Sequence, residues 1–240
     1  MWWLFRVFVL AHIATGAVAL VLFWVPVIGR KGAALHRRTG RLFVRLIIAT
    51  GISAIGMSLC TLAAPGATHP DIADIALVRG LFGWMMLYLA TLTISLGWHG
   101  LMTVRNRFDH AANRAPLALG LQGACIVAAL NCAAQGYVIG QPLMLGIAVV
   151  GVASGVTNLA FILTPRPSRM RYLKEHVKAL VGGGISVYTA FMTFGLARLM
   201  PAHAFNPTLW AIPIAIGVSI IVWHQRRIGG LRRDSAVPGQ

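Results

Sequence analysis

Eight histidines are the residues of this sequence whose type and placement could do chemistry. An imidazole can ligate haem iron or another metal, relay protons, or anchor a helix at a membrane edge. His12 stands ten residues into an apolar run, close to the middle of any bilayer that run would cross. An ionisable side chain at such a depth is by default a functional candidate, and a neutral ring bonded to a neighbouring helix is the structural alternative. His36, His176 and His224 fall at the inner ends of the second, sixth and seventh predicted spans, and His99 about one turn deeper in the third. Their origin on separate helices makes a shared site geometrically open. His12, His36, His99 and His176 are therefore the candidate cofactor-binding residues, whereas His224 reads better as an interfacial anchor. His69 and His203 are placed in outer loops and His110 in an inner loop, where solvated side chains are expected.

Other catalytic patterns are missing. The chain has no glycine-rich phosphate loop, no HExxH, no GxSxG and only 5 acidic residues. Cys60, Cys125 and Cys132 lie inside apolar runs without CxxC or Cys/His metal spacing. Cys125 and Cys132 are two helical turns apart, about 10 Å of rise, which is too far for a disulfide. All three are expected to be buried packing residues. Asp71 and Asp74 read as solvated loop residues.

The elements that position the histidines are legible from hydropathy. Of 240 residues 58% are hydrophobic and 11% charged, whereas a soluble domain carries roughly a quarter charged. The apolar residues come in long blocks, the pattern of an all-α, polytopic membrane bundle. Seven spans are predicted, at 2–27, 42–64, 75–104, 117–135, 143–164, 179–200 and 209–223, most of them separated by proline and glycine. The third is long enough to tilt or to begin as an interfacial helix. Residues 1–228 thus form one transmembrane domain, and 229–240 a short tail expected to be disordered.

Charge sets the expected orientation. Five cations crowd into twelve residues at Arg30, Lys31, Arg37, Arg38 and Arg41. The segments after the third, fifth and seventh spans hold three, five and four more, so seventeen of the 21 lie on one side. The positive-inside rule places the N-terminus outside and the C-terminus in the cytoplasm of a bacterial inner membrane. The first run is read as an uncleaved helix, because its cations follow the apolar stretch instead of preceding it. The net charge of +16 belongs to these loops, with anionic lipid headgroups as partners and no nucleic acid implied. A second copy or a membrane-complex subunit is a further partner open to such a chain.

Small residues predict the packing seams. They are Gly151 and Gly155 in the fifth span, Gly40, Gly51, Ala54 and Ser58 in the second, and Gly182 to Gly184 in the sixth. Gln122, Asn131, Gln135 and Asn158 need partners if buried, and pairing between the fourth and fifth spans would supply them.

Two stretches resemble a known family. One is His12-x-x-x-Gly16-x-x-Ala19-Leu20 followed by Arg30-Lys31-Gly32-x-x-x-His36-Arg37-x-x-Gly40-Arg41; the other is Glu175-His176 with Tyr188-x-Ala190-Phe191. Together they are similar to a family of bacterial seven-helix membrane proteins, domain of unknown function 2306. The stretch Val177-Lys178-Ala179-Leu180 departs from its pattern. The resemblance implies the fold, an inner-membrane location and a pattern built on His12, His36 and His176, and it implies no activity. On the residues themselves, a haem- or metal-linked membrane redox role is favoured, with b-type haem as the cofactor such histidines would take. A small-solute transporter or channel, and a non-catalytic membrane subunit or sensor, stay open.

Overall fold

In hydrocarbon no water is at hand for the backbone, so each apolar run must satisfy its own N–H and C=O groups as a helix. A computed structural model describes residues 1–195 and 207–234, and every long element in them is helical. The helices are α1 (Trp2–Ile28), α2 (Ala34–Ala63), two short turns α3 (Pro65–Thr68) and α4 (Ile75–Val78), α5 (Met86–Arg105), α6 (Pro116–Val138), α7 (Pro142–Leu163), α8 (Arg169–Ala190) and α9 (Pro207–Asp234). Arg198, Met200 and His203, and with them the end of the sixth expected span, lie outside the described residues.

Among the described residues, five helical segments are long and apolar enough to cross a membrane: Trp2–Ile28, Ala34–Ala63, Ile75–Arg105, Pro116–Val138 and Pro142–Leu163. Seven were expected. The other two helices carry cations within their length: Arg169, Arg171, Lys174 and Lys178 open α8, and Arg226, Arg227, Arg232 and Arg233 close α9. Helix α9 also runs through residue 228, where the sequence reading ended the domain, and on to Asp234.

The third segment is not uniform. Asp74 caps α4 by accepting from the Leu77 amide at 2.9 Å, a role beyond that of a solvated loop acid. A π-helical stretch, Arg79–Met85, then leads into α5. Its glycines admit neighbouring side chains to the backbone, Ile139 at Gly80 and Leu62 at Gly83.

Helix α5 is the hub, packed on α2, α6 and α8, while α1 lies along α2, α6 along α7 and α8 along α9. Met85, Tyr88, Leu92, Cys125, Ala129, Cys132, Met144 and Ala148 fill one core; Ala19, Phe23, Phe43, Val44, Ile47 and Val181 fill a second. All three cysteines are buried and free, as their apolar setting predicted. Outward faces are apolar too, with Val7, Val21, Ile52, Val127 and Val149 exposed, as suits a lipid-facing surface.

Small residues set the close approaches. A Cβ on Gly151 would meet the Tyr88 ring, and one on Gly155 the Ile126 side chain. The gap at Gly151 lets the Tyr88 hydroxyl donate to the Ile147 carbonyl at 2.7 Å. Gly51 faces Ile94 and Gly184 faces Phe23, whereas Gly40 has nothing within 4 Å and takes no part in a seam. Gly151→Ala is expected to lower stability by about 1–3 kcal/mol through overpacking. Gly146→Ala, with open space at its Cβ position, should stabilise α7 by roughly 0.5–1 kcal/mol. Unfolding of the two variants in detergent measures the contrast.

Candidate functional site

Helices α1, α5 and α7 end on the same side of the bundle, and each presents up to four carbonyls without a helical donor, at the negative end of its dipole. The cations and histidines of the adjoining segments answer that need. Lys31 Nζ donates to the Pro26 carbonyl at 3.0 Å and to that of Val27, and His36 Nδ1 donates to Pro26 at 3.1 Å. Arg107 donates to Val104 at 3.2 Å, at the end of α5. His110 Nε2 and Arg114 Nε share the Ile162 carbonyl at 3.1 and 3.3 Å, near the end of α7. Gly32, at φ +75°, makes the turn after α1, a conformation open to a residue without Cβ. Burial and the neighbouring Arg227 charge hold Lys31 below the usual lysine range. His110, expected in solvent, is half-buried and lies edge-on to Phe161 and Tyr172.

Two of the candidate histidines meet at this basic end. His36 belongs to the first turn of α2 and His176 to the second turn of α8. Their ring centroids are 6.4 Å apart, with the planes at 63°. His176 Nδ1 donates to the Gly100 carbonyl at 2.7 Å. A carbonyl only accepts, so Nδ1 carries the proton in both rings and a neutral ring keeps its lone pair on Nε2. In each ring Nε2 is then the atom left to accept a proton or to bond a metal ion.

His99 neighbours this pair on α5 but has other partners. It is buried, with Nε2 3.7 Å from Glu175 Oε2, too long for a hydrogen bond. Glu175 pairs with Lys178 at 2.5 Å, and Lys178 reaches Thr157 Oγ1 at 3.2 Å. The His99 ring stands edge-on to Phe161, on the α7 side. Sequence reasoning gave Glu175 no role of its own; the available signal was an acid one position before a candidate histidine and three before a lysine.

His12 lies elsewhere. Its Nδ1 donates to the Thr50 carbonyl at 3.1 Å, beside a 2.8 Å contact between the Thr15 and Thr50 hydroxyls. Thr50 is fourteen residues along α2 from His36, about 21 Å of helical rise, so His12 is not brought to the His36–His176 pair. His224 Nδ1 bonds the Ile220 carbonyl of its own helix beside Trp223. His69 is half-buried at the opposite end, against the rings of Phe5 and Phe82, instead of in solvent.

A third polar group joins α5, α6 and α7 in the interior. Gln122 Oε1 accepts from Ser95 Oγ and from Asn158 Nδ2, both at 3.0 Å. This is the pairing between neighbouring spans that buried amides require. Asn131 and Gln135 are only half-buried.

Among the described residues, no three His, Cys, Asp or Glu side chains come together to hold a metal ion. Compared with family models, with curated proteins and with solved structures, the chain finds no match. The geometry predicts that His12→Leu lowers stability by about 0.5–1.5 kcal/mol, one ordinary hydrogen bond. It should leave the His36–His176 pair undisturbed, which histidine NMR of the detergent-solubilised variant would check.

Proposed function

We propose that this is a seven-pass protein of the bacterial inner membrane, N-terminus outside and C-terminus cytoplasmic. In this reading the His36–His176 pair at its cytoplasmic end binds haem iron or another transition metal for a membrane redox reaction. The resemblance to domain of unknown function 2306 belongs to the same proposal. What carries it is the pair of imidazoles, 6.4 Å between centroids, each anchored through Nδ1 to a helix carbonyl. His36 and His176 would hold such a group through their Nε2 atoms, the ring nitrogens not engaged by the backbone. A ring hydrogen bond on the far nitrogen is the usual support for a ligating histidine. A bound group of this kind would supply one-electron chemistry, while the protein holds the rings in place.

Helices α8 and α9 supply the remaining two passes. Gly184 of α8 meets Phe23 of α1, and Gly217 of α9 meets Ile185 of α8, at the close approaches typical of membrane helices. The cations of all four basic segments support the orientation. A cysteine introduced for Phe108 should then react with an impermeant thiol reagent only from the cytoplasmic side, and one for Ala67 only from outside. The reverse labelling would overturn the orientation and leave the metal site to be judged alone.

The redox reading is tested on purified full-length protein. A Soret band that shifts on reduction, or about one equivalent of transition metal by elemental analysis, is expected. His36→Ala and His176→Ala should each abolish it, with His12→Leu retaining it. Protein that stays colourless and metal-free after reconstitution with haemin and with divalent metals would overturn the assignment.

A further inference from the structure

We propose that Arg38, Arg41 and Arg45 on α2 form a binding site for the headgroup phosphate of an anionic phospholipid. Spacings of three and four residues put these side chains on one face of the helix, over about 10 Å of rise. The opposite face is buried through Phe43, Val44 and Ile47 in the second core, so the arginines point away from the bundle. All three are exposed, and with Leu42 they line a shallow cleft. The hydrogen bonds and ion pairs of the described residues leave all three guanidinium groups without a protein partner. Among the described residues no acid pairs with them: the ion pairs there involve Glu175 with Lys178 and His99, and Asp74 caps α4 at the other end of the bundle.

Resting on the membrane reading proposed above, the depth of the cleft assigns the phosphate to a lipid. Helices α1 and α2 run antiparallel in a constant register, with His12 against Thr50 and His36 against Pro26. Helix α2 ends at Ala63, and about twenty residues cross the hydrocarbon, so the hydrocarbon ends near Phe43 and Val44. Arg45 therefore stands at that boundary, with Arg41 and Arg38 in the headgroup layer. The same register sets Trp24 level with Arg38, where an indole belongs to the aromatic belt.

Beyond Arg45 the same face continues through Ile52 and Leu59, both exposed and apolar. A soluble phosphate has no use for that strip, whereas the acyl chains of a lipid held at the arginines lie along it. Guanidinium is the side chain suited to this role, since its planar fork gives two parallel donors to one phosphate and stays charged.

The test uses full-length protein in a neutral detergent, titrated with phosphatidylglycerol, with phosphatidylcholine or with inorganic phosphate. Phosphatidylglycerol is expected to raise the melting temperature and to appear as a bound adduct in native mass spectrometry. Arg38→Gln/Arg41→Gln/Arg45→Gln should weaken that binding by on the order of a hundredfold. Arg226→Gln/Arg227→Gln, outside the cleft, should leave it unchanged. The single variants Arg38→Gln and Arg41→Gln serve if the triple variant does not fold, each with a partial loss. Equal binding by wild type and variants, or an equal shift with inorganic phosphate, would overturn the proposal. So would altered self-association with unchanged lipid binding, which would assign the face to a second copy. None of these readouts depends on haem or metal at His36 and His176.

Discussion

A carbonyl left over at the end of a helix in a low-dielectric surround must find a donor, and this requirement organises the basic end of the bundle. The C-termini of α1, α5 and α7 converge there. Lys31, Arg107, His110 and Arg114 close them from the connecting segments, and His36 from the first turn of α2. Lys31 and Arg107 reach back a few residues while His110 and Arg114 reach about fifty along the chain to Ile162, and cations are favoured at the negative end of a helix dipole. The positive charge of these segments is therefore partly structural: the residues that would orient the chain in a membrane also finish its helices.

The same requirement places one of the two histidines, and a close helix approach places the other. His36 lies on the Pro26 carbonyl because that oxygen lies near the end of α1. His176 lies on Gly100 because a glycine there lets α8 come close, with Leu180 and Ala179 against the same spot. Both rings are thus turned by backbone oxygens and not by each other. The 6.4 Å pair is a consequence of His36 closing the end of α1 and of α8 packing closely on α5 at Gly100. Deeper in the bundle the demand is met by side chains instead, with Gln122, Ser95 and Asn158 bonded across three helices and Tyr88 on the Ile147 carbonyl.

Much of this was legible in the sequence, and for one reason: hydropathy and small-residue spacing are local properties of a chain. Apolar length marked the five long helices, and Gly51, Gly151, Gly155 and Gly184 marked real close approaches. Gly40 carried the same signal without a neighbour to meet it. The loop reading of His69 and His110 failed because position between helices does not report which rings fold over a side chain. The first packs on Phe82 and the second on Phe161.

The sequence by itself determined an all-helical chain with long apolar crossings, cations concentrated in alternate segments and buried cysteines. Each of these follows from transfer free energy summed over neighbouring residues. Tertiary structure alone decided which histidines share a place. His12 and His36 both occur in helices that pack together, yet antiparallel register sets His12 about 21 Å away, fourteen residues along α2. His36 and His176 lie far apart in the chain and meet because α5, wedged between α2 and α8, offers a glycine where a helix can come close. Register and interhelical distance are set by side chains from several helices at once, so no single stretch of sequence records them.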